Sequence, residues 1–205
     1  MRRQRVGMRS AAAGLGALLW LAAPGARAAS ADLDELMRLL AARREGQVEF
    51  VEQHYRKLLK RPVESSGILV YEAPDRLEKR TLEPRAETLS ITGERLSIQR
   101  GSRSRALDLT AYPAIGPFVE SMRATLGGNL GTLARIFTVD FDGDLSHWTL
   151  TLVPRDAQAQ SYVSRVRIEG ARERLLQVEI LEADGDHSVM TLREHPTTSS
   201  SHPTP

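Results

Sequence analysis

The chain has 205 residues, with 28 Lys and Arg against 26 Asp and Glu, 41% hydrophobic residues and no Cys. The first 28 residues hold five of the Arg and no acid, so the remaining 177 carry 23 basic against 26 acidic side chains. A faintly acidic body of that size is expected to be one domain, and it argues against a nucleic-acid partner and against tight docking on anionic lipid.

Arg2, Arg3, Arg5 and Arg9 make a basic start, and Ala11 to Ala23 make a short apolar run. Ala26-Arg27-Ala28 then offers the small residues of a signal-peptidase site. The run is shorter than the roughly 18 residues of a spanning helix. The sequence therefore predicts a cleaved signal peptide over 1–28, a single folded domain over 29–194 and a disordered tail over 195–205. With no Cys there is neither a disulfide nor a lipid-bearing Cys at the cleavage site. The exported chain is expected to be soluble and held by a hydrophobic core alone.

Asp32-Leu33-Asp34-Glu35 has the form of a capping box, followed by Leu33, Leu36, Met37 and Leu40 at helical spacing. Arg43 and Arg44 suit the helix C-terminus, with Gly46 as its cap. From Gln47 to Gln99 the period falls to two. Val48/Phe50, Ile68/Val70 against Leu69/Tyr71, Leu89/Ile91 and Leu96/Ile98 mark strands, and Thr92-Gly93-Glu94 a tight turn. Arg103 to Leu109 adds one more short strand.

Helical spacing returns with Pro117 at a helix start and Phe118, Met122 and Leu126 as a narrow stripe. Asn129 is placed to cap a second short helix carrying Leu130, Leu133, Ala134 and Phe137. Five more strands follow, "FTVDF", "HWTLTLVP", "YVSRVRIEG", "RLLQVEIL" and "SVMTLRE", with turns at Asp142-Gly143 and Asp184-Gly185. The order is helix, four or five strands, two helices, five strands: an α+β fold with a largely antiparallel sheet.

Catalytic patterns do not emerge. The five His, at 54, 147, 187, 195 and 202, have no metal-ligand spacing, and "DFDGD" lacks the Gly and late Glu of a calcium loop. No nucleophile elbow or phosphate-cradling Gly loop is present. No enzyme activity, cofactor or metal is expected. The Phe118, Met122 and Leu126 stripe fits either a packing face or the wall of a cavity. A long sheet with apolar residues on both faces and only three short helices leaves room for such a cavity.

"GILVYEAPDRLEKRTLEPRAETLSITGERLSI", residues 67–98, resembles the LolA-type periplasmic carriers of outer-membrane lipoproteins. It shows a strand ending in x-Pro, a second strand, a Pro, an apolar strand, a turn and another strand. "LARIFTVDFDGDLSHWTLTLVPRD" and "VEILEADGDHSVMTL" resemble the family's second half, nearest to members associated with exporters in lipid and aryl-polyene pigment clusters. The resemblance implies a curved, unclosed antiparallel β-barrel, or half-barrel, with a helical lid over an apolar cavity.

It further implies a cavity lined by Leu69, Tyr71, Leu77, Leu89, Ile91, Leu96, Ile98, Phe118, Met122, Leu126, Trp148 and Leu150. The expected role is that of a monomeric periplasmic carrier for an acylated lipoprotein or lipid-like cargo, loaded by an inner-membrane donor transporter or exporter and unloaded to an outer-membrane acceptor. The alternative is a lipid-responsive sensor or adaptor of the same fold that binds a partner protein. Such regulators usually carry a further domain. Two positions depart from the family pattern. Ala73 stands where the carriers often place an Arg that ties the lid to the sheet, and Lys79 stands where they favour an aromatic.

Overall fold

The computed structural model describes residues 25–111 and 116–194. The expected tail and most of the expected signal segment, residues 1–24, lie outside the described residues. Helix α1 (Gly25–Ala42) leads into six strands: β1 (Glu45–Tyr55), β2 (Val63–Glu72), β3 (Arg76–Glu83), β4 (Glu87–Thr92), β5 (Arg95–Arg100) and β6 (Arg103–Asp108). A 3-10 turn over Leu109–Ala111 precedes α2 (Gly116–Leu126) and α3 (Leu130–Ile136). Strands β7 (Phe137–Asp144) and β8 (His147–Pro154), a one-turn helix α4 (Ala157–Gln160), and β9 (Val163–Ala171), β10 (Arg174–Glu182) and β11 (His187–Glu194) complete the fold.

All eleven strands form one antiparallel sheet in the order β6-β5-β4-β3-β2-β1-β11-β10-β9-β8-β7. Every pair in the sheet joins strands consecutive in sequence except at the centre, where β1 pairs β11 from Val48 opposite Glu194 to Tyr55 opposite His187. The edges, β6 and β7, do not pair with each other, so the sheet curves without closing. The α2–α3 segment connects one edge strand to the other.

Several expectations need correction. The first helix starts at Gly25, seven residues before the proposed capping box, so Asp32 is an interior residue and no N-cap. The intervening Ala26, Ala28, Ala29 and Ala31 explain this, because Ala is the best helix former. Gly46 is not a helix cap but a β1 residue paired with Tyr71; α1 ends four residues earlier. Asp142-Gly143 lies inside β7, and the β7–β8 turn is Leu145-Ser146 instead. There Asp144 Oδ1 accepts from the Ser146 backbone N–H and hydroxyl, at 2.7 and 2.6 Å. Gly143 keeps a left-handed φ of +96° within the strand, which its missing Cβ permits. Asn129 does cap α3, accepting from the Thr132 N–H at 2.9 Å, and Asp184-Gly185 does lie in the β10–β11 turn.

The core is divided. A large cluster joins α1 (Leu36, Met37, Leu40), α2 (Met122, Ala124) and α3 (Leu133) to β7–β11 and to Phe50 of β1. A small one joins Ile91, Leu96 and Leu109 to Val119 of α2. Leu77 and Phe118 pack against both. Helices therefore lie directly on the β7–β9 half of the sheet, while the β2–β5 half is spanned by α2 alone.

Within the packed half Trp148 is held by backbone. Its Nε1–H donates to the Arg172 carbonyl at 2.8 Å, and its ring lies over Gly170 so closely that a Cβ there would stand 2.2 Å from Cζ2. Gly170→Val should therefore expel the ring. We expect a loss of about 2 kcal/mol or more, seen as a melting temperature lower by roughly 5 °C or more together with a red-shifted Trp emission. In the chain starting at Ala29, Trp148 is the sole Trp and reports unambiguously.

Candidate functional site

The period-two alternation of β1 to β5 places two rows of side chains on the concave face. Tyr71, Leu77, Ile91 and Leu96 are successive cross-strand neighbours, as are Val48, Leu69, Lys79, Leu89 and Ile98. Above them α2 turns its apolar stripe downward. Between sheet and helix lies a cavity of about 480 Å³. Of the residues expected to line it, Leu69, Tyr71, Leu77, Leu89, Ile91 and Leu96 do so from the sheet, and Phe118, Met122 and Leu126 from the helix.

Three do not. Trp148 and Leu150 belong to the packed half, where α1 and α3 lie on the sheet and leave no gap; Leu150, for example, is wedged between Phe141 and Ile168. Ile98 ends its row on β5, one strand beyond Leu89, and packs against the small cluster instead. Other wall residues are Leu40 and Val119 from the helices, and Met190 and Leu192 from β11. Their periodicity marks them as core, and only the β1–β11 pairing brings β11 into the wall.

The wall is not wholly apolar. Glu52 of β1, 4% exposed, pairs through Oε2 with Lys79 Nζ and stands 3.1 Å from His54 Nε2. All three residues line the cavity. Burial pushes the Glu52 carboxyl up, but the His54 hydrogen bond and the Lys79 charge outweigh it and hold the group below its ordinary range. Lys79 also lies over the Phe50 ring, with Nζ 4.9 Å from the centroid. The pair is self-neutralising, yet an ammonium has three donors, and a guest carrying an acceptor can use the remainder. The spacing of "LEK" hints at this: Lys79 lies two residues from Leu77 and therefore on the same face.

The lid is tied to the sheet by a residue the sequence did not flag. Arg123 of α2, its side chain 12% exposed, donates from Nε to the Asp75 carbonyl at 3.0 Å and from Nη2 to the Gly93 carbonyl at 2.5 Å. Glu120 braces its Nη1 at 3.2 Å. Both carbonyls belong to turns at one rim of the sheet, after β2 and after β4. Asp75 joins those turns by accepting the Gly93 N–H at 2.9 Å. Ala73, where a sheet Arg would have served, donates its N–H to the Arg44 carbonyl instead. The arginine sits on the helix and its acceptors on the sheet.

Among the described residues no group of three or more His, Cys, Asp or Glu could hold a metal ion, and no helix is long and apolar enough to cross a membrane.

A family profile described as outer membrane lipoprotein carrier protein LolA-like matches residues 25–200. Solved structures with a similar fold include a LolA superfamily protein from Nitrosomonas europaea, 10% identical, with 82% of this chain and 92% of that chain covered and a TM-score of 0.44. A chain of the Pseudomonas aeruginosa MucA/MucB complex is 13% identical, with coverages of 80% and 56% and a TM-score of 0.43. An outer membrane lipoprotein-sorting protein domain from Vibrio parahaemolyticus is 14% identical, with coverages of 84% and 95% and a TM-score of 0.41. No curated protein matches the chain.

The Arg123 tie makes a direct prediction. Arg123→Leu keeps an apolar stem but removes two charge-assisted bonds to carbonyls, and should lower stability by about 2 kcal/mol. Amide exchange over α2 should accelerate well beyond that of β8 and β9, and uniform acceleration would mean that Arg123 supports the whole domain and not the lid.

Proposed function

The chain belongs to the LolA-like family of outer membrane lipoprotein carrier proteins, and on that premise we propose that it is a periplasmic carrier that shields the acyl chains of a lipoprotein or lipid-like cargo between inner and outer membranes. The observation that carries this reading is the cavity, about 480 Å³ with a mainly apolar wall, roofed by α2 with Leu40 of α1 at its side. That volume lies within the range of small-molecule sites. The process is transfer without bond chemistry.

Sequestering about ten methylenes is worth on the order of 8 kcal/mol, so an acyl chain enters readily and leaves slowly. Release then needs a lid whose opening is coupled to a partner, an inner-membrane donor on one side and an outer-membrane acceptor on the other. Arg123 supplies such a lid with a polar tie that a competing acceptor can take over. Glu52, Lys79 and His54 give one patch of the wall hydrogen-bonding capacity, suited to the ester or amide carbonyl at which an acyl chain joins its headgroup.

Export belongs to the same reading. Cleavage after Ala28 removes the basic segment and the first four residues of α1, leaving Leu36, Met37 and Leu40 to anchor what remains of the helix. The periplasmic protein should therefore have the intact mass of residues 29–205. A retained Arg-rich N-terminus would count against a freely diffusing carrier.

Leu77 tests the cavity, because it is half-buried on the wall and touches both core clusters. In Leu77→Glu the carboxylate stays ionised and repels an acyl chain, or takes a proton at a cost set by its desolvation. We expect a folded variant by circular dichroism melting, with a fluorescent fatty-acyl probe bound about tenfold or more weakly. An unfolded variant would make Leu77 ordinary core, and unchanged binding would remove it from the site.

A further inference from the structure

Residues 56–62, "RKLLKRP", form the β1–β2 loop, and every one of them is exposed. Leu58 is 97% exposed and Leu59 50%, two of the three most exposed large apolar side chains among the described residues. A solvated leucine pair at a loop tip has no role in the core. Both ends of the pair are basic, Arg56-Lys57 before it and Lys60-Arg61 after it.

The two cationic pairs do different things. Arg56 Nη1 stands 3.0 Å from Glu182 Oε1 and 3.2 Å from Asp186 Oδ2. The Lys57 backbone N–H donates to Asp186 Oδ1 at 2.9 Å, and its Nζ donates to the Asp184 carbonyl. The base of the loop is thus fastened to the acidic β10–β11 turn, with the Arg56 guanidinium shared by Glu182 and Asp186. Beyond that base the chain turns back, the Leu59 N–H donating to the Arg56 carbonyl at 2.9 Å, and carries Leu58, Leu59, Lys60 and Arg61 outward. The base of the loop also reaches the cavity: Arg56 lines it, as do Glu182 and the 41% exposed Tyr162.

We propose that this loop docks the protein on an anionic bilayer, Leu58 and Leu59 entering the interface while Lys60 and Arg61 meet lipid phosphates. The occupant follows from shape and charge. A narrow convex tip offers too little area for a stable protein interface, whereas a soft lipid surface receives two leucines and pairs with the cations beside them. The body carries a slight excess of acid, so the cations at this tip are local and would orient the molecule, with the Arg56 end of the cavity toward the membrane. Sequence composition argues against tight docking by the body as a whole, and the loop supplies a local exception.

Flotation of the chain starting at Ala29 with vesicles tests the proposal. The vesicles are 30% phosphatidylglycerol in phosphatidylethanolamine, with pure phosphatidylcholine as the neutral control. The parent should bind the anionic vesicles and lose binding as salt rises. Leu58→Ser/Leu59→Ser should bind about tenfold or more weakly, and Lys60→Glu/Arg61→Glu about 25-fold or more weakly, at roughly fivefold for each cation removed. Melting temperatures should not change, because none of the four side chains is buried.

Equal binding of parent and variants would overturn the proposal. So would equal binding to both lipids, or binding by the parent to neither; the last, with an acidic protein partner captured through the same four residues, would assign the loop to protein recognition. Acyl-probe affinity in solution should be the same in all three proteins. Loss of probe binding in the parent would refute the carrier reading and leave the vesicle result standing.

Discussion

The antiparallel pairing of β1 with β11 joins the two ends of the domain at the middle of the sheet. Without it the chain would make two separate meanders, β1–β6 and β7–β11, each with a second open edge, at β1 or at β11, and half a core. With it, Phe50 faces Leu192 and Glu52 faces Met190, so the large cluster and the cavity wall share one continuous surface. The free edges are displaced to β6 and β7. Both are unsuited to further pairing: Arg103 and Arg105 are exposed on β6, and Asp140, Asp142 and Asp144 on β7.

Uneven covering of that sheet creates the cavity. Three helices crowd onto β7 and β9, where Trp148, Leu150 and Leu152 are fully packed. Over β2 to β5 there is only α2, and the aliphatic rows beneath it cannot all reach it. A void in such a place would ordinarily be costly. Here the Arg123 bonds and the two clusters flanking the void hold its roof at a fixed height. The same opening accommodates the Glu52–Lys79 pair, which a dry, fully packed core would tolerate poorly.

Much of the fold is legible in the residues themselves. Period-two alternation locates the strands, Asn129 announces its cap, and the LolA-like pattern of residues 67–98 points to the half-barrel. The misplacements have local causes. Alanines extend α1 past a plausible capping box, and Gly143 imitates a turn because a left-handed strand position has the same requirement for glycine. At the site, the resemblance implied twelve wall residues, and nine of them lie along the cavity. Trp148, Leu150 and Ile98 do not, because a strand's alternation shows which face a side chain takes but not what covers it there. Arg123 was invisible for a different reason: its partners are backbone carbonyls, which leave no mark on composition.

The lid has no free end. Helices α2 and α3 are the middle of a strap whose two ends are the edge strands β6 and β7. A flap on one hinge can swing aside, but a strap anchored at both ends can rise only if it bows or its anchors draw together. Those anchors are the margins of the curved sheet, so sheet curvature and lid height become one mechanical coordinate. Spreading the margins pulls the strap taut over the cavity, and bringing them together slackens it. A force applied to the outside of the sheet would thus reach the cavity through its roof, without touching anything inside it.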